Sequence, residues 1–489
     1  MVEEAHDVEL PGQVAPAAHP VAGEQQPQEP PADAPKEAAV QRFPEDRQFR
    51  DILSLPFAAI FLLVAAIWAL VKLGEEDTSA VSCESNSGAC DAGSDPPSAG
   101  HAVLVILVTP LIAGLLPLAF LLLARYEKPG YATSLVMQGG WILCMLCGFL
   151  AMIIAVNGKQ TTSFGYISLF LLGLYVFVYS FYMFIYSNAQ LACLACFQCI
   201  MRGRSANNYT LYKVFLQEGA KLAVKFFGVM GVSACCGTIS LLWALLLLPA
   251  GQKSSGLEQM IFIFAVYWGC TACYFFQQTV NFGVVSRCLY EQPEEAKYTI
   301  NSIKVAFKAL GSIFVAGLLV AIIRAIESLV GRCRCCGTSF LRCLLNFVGF
   351  ELQYFGSWCL VPISQRDMNF FEAGKHVVGL VHDCGDHFTG LLQYATTGFV
   401  SFNCMLQAAF IGLLIGGFIG YDGGDGGWND VGMLALCGFV AGFGPAVAML
   451  SPLQSFITAI LVTWAEDRLV VSQFCPQLYN EMAASHSPA

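Results

Sequence analysis

Residues Leu53 to Leu73 read LSLPFAAIFLLVAAIWALVKL, an apolar run in which Lys72 is the single charged residue. About 20 apolar residues in a helix, at 1.5 Å each, cross the roughly 30 Å hydrocarbon core of a bilayer. The rest of the chain agrees with this segment, because 56% of its 489 residues are hydrophobic and only 12% are charged. Soluble domains carry about twice that share of charge. The sequence therefore predicts an integral membrane protein.

Further apolar runs of similar length follow along the chain. The predicted fold class is all-α, a polytopic membrane protein with about ten transmembrane helices and both termini in the cytosol. After the first span at Leu53 to Leu73, the predicted spans lie at about 102–123, 132–155, 163–186, 224–249, 257–286, 308–330, 341–363, 394–420 and 431–464.

The charges of the loops set the predicted orientation, because Lys and Arg accumulate in cytosolic loops. The loop at 75–101 contains neither residue, whereas Arg125 and Lys128 follow the second span, so the first loop is predicted outside and the second inside. One loop conflicts with strict alternation, since Arg332 and Arg342 fall on the side predicted to be external. Its orientation stays open: either the loop is an exception, or one neighbouring segment is an interfacial helix.

Composition divides the chain into three predicted regions. Residues 1–50 are rich in Ala, Pro, Glu and Gln and are predicted to be a disordered cytosolic tail, because they hold too little apolar surface to fold alone. Residues 51–470 are the predicted transmembrane transporter domain. Residues 471–489 are predicted to form a short cytosolic tail.

Charge and motif content exclude several function classes. The formal net charge is -10, so no basic surplus exists to neutralise a nucleic acid. No GxxxxGK[ST] phosphate-binding loop is present, which disfavours a nucleotide-driven pump. The run from His382 to His387 contains metal-ligating residue types, including Asp386, but matches no zinc signature. We expect no enzyme activity, metal or cofactor, and the predicted partners are the lipid bilayer and a small-molecule substrate.

Cysteines and intramembrane charges provide two local predictions. The loop predicted to be external permits a disulfide between Cys83 and Cys90, and that pairing stays open. Arg324 and Glu327 are three residues apart on one helical face, which favours a self-contained ion pair. Glu351 has no such sequence neighbour, which makes it the intramembrane charge most suggestive of function.

Glycines repeat every four residues in the last two predicted spans. They predict helix backbones that approach closely, possible because glycine has no side chain. The repeated positions are Gly412, Gly416 and Gly420 in one span, and Gly438 and Gly442 in the next.

The stretch from Trp268 to Val285 reads WGCTACYFFQQTVNFGVV and places polar side chains inside an apolar span. Two interpretations stay open: these side chains hydrogen-bond neighbouring helices, or they line a hydrated substrate path near the midplane. Aromatic rings nearby offer faces to an organic cation. The candidate substrate-binding residues are Tyr267, Trp268, Tyr274, Gln277, Gln278 and Asn281.

The second half of the chain resembles the choline transporter-like protein family. The spacing of Trp268, Gln277 and Gln278 before Gly283 is similar to that family's W...QQ...G.VV helix, and Leu310-Gly311-Ser312 is similar to its LGS motif. Three further segments complete the resemblance over residues 268–482: Asn369 to Lys375, Trp464 to Asp467, and Pro476 to Tyr479.

The resemblance implies about ten helices, cytosolic termini and choline uptake across plasma or organellar membranes, of which we expect the plasma membrane here. Choline carries no hydrogen-bond donor on its nitrogen, so Trp268 and the tyrosines are expected to hold the cation through their ring faces, and the amides to hold its hydroxyl. Transport of another organic solute, ethanolamine or thiamine pyrophosphate, and a membrane scaffold that transports nothing are the alternatives. The oligomeric state is not predicted.

Overall fold

The computed structural model describes the following residues, and all structural statements refer to them: 43–44, 47–52, 54–80, 99–126, 142, 145, 174, 178, 206–291, 295–330, 338–384, 387–422 and 428–480. Residues 42–489 form one compact unit. Within the described ranges the chain is helical and contains no strand. This confirms the all-α class.

Twelve helices of seven residues or more cover most of these ranges. In chain order they are α1 (Ser54–Ala80), α2 (Ala99–Arg125), α3 (Ala206–Lys225), α4 (Phe227–Lys253), α5 (Leu257–Tyr290), α6 (Glu295–Lys308), α7 (Leu310–Val330), α8 (Thr338–Gln365), α9 (Phe370–Cys384), α10 (His387–Asp422), α11 (Trp428–Glu466) and α12 (Arg468–Phe474).

Seven of these helices are long and apolar enough to cross a membrane, which confirms a multi-pass protein. The apolar segments are Ser54–Lys72, Leu104–Arg125, Phe227–Gln252, Leu257–Tyr290, Leu310–Ser328, Val400–Ile419 and Leu434–Glu466. Each overlaps a predicted span. The spans predicted at 132–155 and 163–186 lie almost entirely outside the described residues.

The span predicted at 341–363 lies within α8, whose 28 residues give a length of about 42 Å. This helix is not among the seven, because polar residues such as Glu351 and Gln353 interrupt its apolar sequence. Ten spans therefore remain a prediction, with seven of them matched by apolar helices.

Contacts between helices fix their relative directions. Residues Phe61 and Trp68 of α1 touch Trp268 and Phe262 of α5 respectively, so α1 and α5 run in opposite directions. In contrast, α5, α8 and α11 run in the same direction, as the hydrogen bonds described below require. The ten-span plan makes these three helices spans six, eight and ten, for which alternation also demands a shared direction.

The glycine repeats bring α10 and α11 into backbone contact, as predicted. A Cβ atom built on Gly412 would collide with the carbonyl oxygen of Gly438, and one built on Gly416 would collide with that of Leu434. Gly442 approaches the backbone of Ala408 in the same way. Only glycine permits these approaches, so the two helices depend on the repeat for their packing.

Two amphipathic helices, α6 and α9, are too short to cross the membrane. Their 14 and 15 residues give lengths of about 21 and 22 Å, against a hydrocarbon core of about 30 Å. α3 lies mostly in the linker between the spans predicted at 163–186 and 224–249, yet Phe215 and Leu216 are fully buried. Its Gly219 packs against Leu453 and Ile457 of α11, so this linker contributes to the core.

Candidate functional site

A row of buried amides on the second half of α5 forms the candidate site. Gln277, Gln278 and Asn281 are 3%, 1% and 0% exposed. Gln277 lies 20 residues after Leu257, about 30 Å along a helix that carries Arg287 in its last turn. Buried amides need hydrogen-bond partners, and the structure supplies them from two other helices.

Serines of α11 pair with the first set of amides. Gln277 Nε2 donates to Ser451 Oγ, and Asn281 Nδ2 donates to Ser455 Oγ at 3.1 Å. Both pairs are separated by 174 residues in sequence. Because the spacing of four residues on α5 is repeated on α11, the two helices run side by side in the same direction.

α8 completes the row from the other side. Ser357 Oγ donates to Gln278 Oε1 at 2.8 Å, and Gln365 Nε2 donates to Ser286 Oγ at 2.9 Å. Both pairs are 79 residues apart, so α5 and α8 also share a direction. The polar face of α5 thus lies between two parallel neighbours.

Asn281 has an amide oxygen to which no group donates within the described part of the chain, and this Oδ1 atom is buried. The same holds for Oε1 of Gln365, whose amide nitrogen bonds Ser286. Leaving a buried amide oxygen unsatisfied costs about 1–3 kcal/mol. A water molecule or a ligand with a hydroxyl donor would supply the hydrogen bond at either atom.

Trp268 lies at a different level of α5 from the amide row. It precedes Gln277 by nine residues, about 13 Å along the helix axis. Its Nε1 donates to the carbonyl of Phe314 at 3.0 Å, and only 1% of the residue is exposed. Phenyl rings of Phe57, Phe61, Phe264 and Phe314 surround it with centroid distances of 5.4–6.2 Å. In this conformation, phenylalanine rings pack around the indole.

The two predicted tyrosines occupy different environments. Tyr267 is 38% exposed and lies eleven residues before Gln278, about 16 Å along the helix axis. Tyr274 lies one turn before Gln278, and its hydroxyl accepts a hydrogen bond from Gln278 Nε2 at 2.6 Å. Of the six predicted residues, the structure therefore joins Tyr274 to Gln278 directly, while Gln277 and Asn281 share the row.

A buried aromatic pair on α8 lies beside the amide row and is not among the six predicted site residues. Tyr354 and Trp358 are 1% and 6% exposed, with ring centroids 5.4 Å apart. Tyr354 lies three residues before Ser357, which places it on the same side of α8 as the hydroxyl bonded to Gln278. No motif in the sequence distinguishes this pair from the other aromatic residues of the spans.

An apolar cavity of about 280 Å³ lies toward the opposite end of α5. Apart from Ser328, its lining is hydrophobic, including Phe61, Leu257 and Phe264. Within this lining, Ser328 is the residue whose side chain can accept a hydrogen bond from a hydroxyl. The cavity is therefore chemically different from the amide row.

Residues 47–51, which precede α1, form hydrogen bonds with the ends of several helices. Arg47 donates to the carbonyls of Ile363 and Ser364, both at 2.9 Å, near the end of α8. Burial, with Arg287 nearby, lowers the pKa of the Arg47 guanidinium to about 10. Asp51 Oδ2 accepts from Ser312 Oγ at 2.5 Å and from the backbone of Phe370 at 3.2 Å. This segment links the start of α7, the end of α8 and the start of α9.

A buried carboxylate at the end of α11 contacts the segments that follow α8. The side chain of Glu466 is 2% exposed, and its Oε1 lies 2.6 Å from His376 Nε2 on α9 and 3.6 Å from Arg366. Both motif segments noted in the sequence, around residues 369–375 and 464–467, therefore meet here.

Other predicted features have separate outcomes. The ion pair between Arg324 and Glu327 is present at 2.8 Å, as predicted from their spacing. Cys83, Cys90 and Asp386 lie outside the described residues. His382 is exposed, and the described ranges hold no cluster of three or more metal-ligating side chains.

A comparison with protein families gives a match in the second half of the chain. Residues 250–469 match a family described as plasma-membrane choline transporter. This match supports the predicted resemblance to the choline transporter-like family. It spans α5 to α11 together with the start of α12, and so includes the amide row and all its partners. No curated protein shows significant sequence similarity to the chain.

The match to the plasma-membrane choline transporter family, together with seven apolar helices, supports a multi-pass protein of the plasma membrane. It also supports a membrane transporter with a small-molecule substrate rather than an enzyme. The matched residues contain the amide row between α5, α8 and α11.

Proposed function

We propose that the protein moves choline or a related organic cation across the plasma membrane by facilitated, potential-driven uptake. The observation that carries this proposal is the row of buried amides, in which Asn281 Oδ1 has no donor among the described residues. Choline has one hydroxyl donor, which this carbonyl oxygen would accept. Its quaternary nitrogen offers no donor, so the rest of the recognition falls to ring faces.

The aromatic groups beside the row fit the second part of this chemistry. Tyr274 is bonded to Gln278, and Tyr354 and Trp358 follow the same side of α8 as Ser357. Cation-π contacts contribute about 0.5–2 kcal/mol each, depending on desolvation. We propose that these rings hold the trimethylammonium group while the amides orient the hydroxyl. Trp268 and Tyr267 remain predicted contributors in a conformation that uncovers the indole.

The driving force requires no coupling ion. An inside-negative potential favours entry of a permanent cation by about 2.3 kcal/mol per 100 mV. A row of neutral amides suits such a substrate. A buried carboxylate would bind the cation with higher affinity and would slow its release. Uptake therefore depends on the potential and saturates with substrate.

A comparison of choline with ethyltrimethylammonium, which lacks the hydroxyl, tests the role of Asn281. One hydrogen bond contributes about 0.5–1.5 kcal/mol, so we expect Asn281→Leu to weaken choline uptake about three- to tenfold relative to the analogue. Thr279→Val is the matched control, because among the described residues the Thr279 hydroxyl bonds the Phe275 carbonyl of its own helix, at 2.8 Å, and no other helix. The ratio between the two substrates should stay unchanged in this control.

If Asn281→Leu reduced uptake of choline and of ethyltrimethylammonium by the same factor, Asn281 would not recognise the hydroxyl. Saturable uptake of ethanolamine or thiamine pyrophosphate that choline does not inhibit would assign a different substrate. Absence of uptake for all of these solutes by folded protein would favour a membrane scaffold.

A further inference from the structure

A segment near the N-terminus lies across the end of the bundle at which α5 and α8 end. It comprises residues 43–44 and 47–51, and we call it the strap. The backbone N–H of Phe43 donates to the carbonyl of Gln365, the last residue of α8, at 2.8 Å. The side chain of Gln365 bonds Ser286, the member of the amide row nearest to the end of α5. The strap therefore covers this end of the row.

Two residues of the strap, Phe43 and Arg47, form a cap over α5 and α8. Arg47 donates to two carbonyls near the end of α8, both at 2.9 Å. The ring of Phe43 lies 6.4 Å from the ring of Tyr290, and the guanidinium carbon of Arg287 lies 4.5 Å from its centroid. Both cap residues are 7% exposed, so the structure shows the strap in a closed arrangement.

The other end of the strap is attached to different helices. The carboxylate of Asp51 accepts the hydrogen bonds from α7 and α9 described above. Close to it, Ser54 Oγ donates to the carbonyl of Gly311 at 2.8 Å. A Cβ atom built on Gly311 would collide with the carbonyl of Asp51, so the two backbones are in close contact. Asp51 is therefore an anchor that does not depend on the cap.

The cap residues occupy unfavourable environments. Phe43 has a backbone φ of 61°, a left-handed conformation that residues other than glycine rarely adopt. Backbone strain of this kind is typical of switch regions. The buried Nε of Arg47 has no acceptor among the described residues, and burial together with the charge of Arg287 lowers the Arg47 pKa to about 10. Release of the cap would relieve the strain at Phe43 and rehydrate the guanidinium.

We propose that the strap is the gate at this end of the substrate path. The cap leaves α5 and α8 while the anchor at Asp51 holds, and this movement opens the amide row to solution. The gate rests on the transport function proposed above. On its way past the cap, the substrate hydroxyl meets Gln365, whose buried Oε1 has no donor among the described residues. The loop charges predict that this side is cytosolic.

A reversible cross-link that holds the cap closed tests the gate. Phe43→Cys/Tyr290→Cys replaces the two rings in contact, and a short, reducible bifunctional methanethiosulfonate joins the two thiols. We expect choline uptake into liposomes to fall in proportion to the cross-linked fraction, measured by mass spectrometry, and to recover after reduction. Each single variant treated with the same reagent is the control and should keep its uptake. Thermal unfolding checks folding, and Arg47→Cys/Ser364→Cys is the second pair if the first does not fold.

A measurement without substrate tests release of the cap directly. Ser364 is 1% exposed and its carbonyl accepts from Arg47, so Ser364→Cys reports on the cap. We expect a charged maleimide to label this thiol at least about fivefold faster when Arg47→Ala is added, the effect of one net hydrogen bond on an opening equilibrium. The native Cys359, buried on the same helix, is the internal control and should react at the same slow rate in both proteins.

Normal uptake by fully cross-linked protein would overturn the gate. Absence of choline uptake before cross-linking would instead contradict the transport proposal, and the labelling rates would then decide on the strap alone. Equal labelling of Ser364→Cys with and without Arg47, or an equal increase at Cys359, would show that the cap does not open as a unit and would overturn the proposal.

Discussion

Ser357 on α8 donates a 2.8 Å hydrogen bond to Gln278 on α5, whose amide nitrogen donates in turn to Tyr274. This chain of side chains allows the two interpretations of the polar row to be separated. A purely structural contact affects stability alone, whereas a substrate contact affects uptake by the protein that remains folded.

We predict that Gln278→Leu lowers choline uptake at least about tenfold per folded molecule. A cycle with Ser357→Ala isolates the structural part, since hydrogen bonds between membrane helices couple by about 0.6 kcal/mol on average and up to about 1.7. Thermal unfolding supplies the coupling energy, and uptake normalised to folded protein supplies the functional effect. Normal uptake by a destabilised Gln278→Leu protein would leave the row with a packing role only.

Trp268 gives a second test, because phenylalanine rings surround it and its N–H is bonded to Phe314. We expect Trp268→Ala to cut uptake and to destabilise the protein by about 3–5 kcal/mol, as large-to-small changes in packed cores do. Trp268→Phe should recover most of the stability but only part of the uptake, because a phenyl face attracts a cation less strongly than an indole. Full uptake by a folded Trp268→Phe protein would remove the indole from substrate recognition.

Asp51 should be important for stability rather than recognition. Removing its carboxylate in Asp51→Ala leaves Ser312 Oγ and the Phe370 N–H without this acceptor, at a cost of about 1.5–3 kcal/mol. Asp51→Asn retains an acceptor oxygen, so we expect a smaller decrease in melting temperature. Equal melting temperatures for wild type and Asp51→Ala would contradict the role of this segment in fastening the helix ends.

The glycine contact between α10 and α11 predicts a position-dependent effect of alanine. In Gly412→Ala the added methyl group collides with the backbone at Gly438, and overpacking of this kind costs about 1–3 kcal/mol. Gly444→Ala on α11 is the matched control, because a Cβ atom there meets nothing within 4 Å. We expect the first variant to melt at a lower temperature and the second to match wild type.

Sequence periodicity and composition were sufficient for the local features. The apolar run at Leu53 to Leu73 predicted α1, the spacing of Arg324 and Glu327 predicted their ion pair, and the glycine repeat predicted close helix packing. The first two features depend on residues within a few turns of one helix. The third depends on glycine having no side chain.

Contacts between distant segments could not be predicted in the same way. Ser451 and Ser455 repeat the four-residue spacing of Gln277 and Asn281, but spacing alone does not choose the facing helix. Asp51 bonds Ser312, which is 261 residues away in the chain. No sequence pattern around Asp51 indicates that partner. The register of helices is set by the packing of the whole bundle, which a single sequence does not display.

Uptake of labelled choline into liposomes containing the purified chain, under an imposed inside-negative potential, tests the central claim most directly. We predict saturable entry that increases with the potential and decreases at least about tenfold in Gln278→Leu, with empty liposomes as the baseline. Entry no faster than in empty liposomes, by protein shown to be folded and inserted, would contradict choline transport.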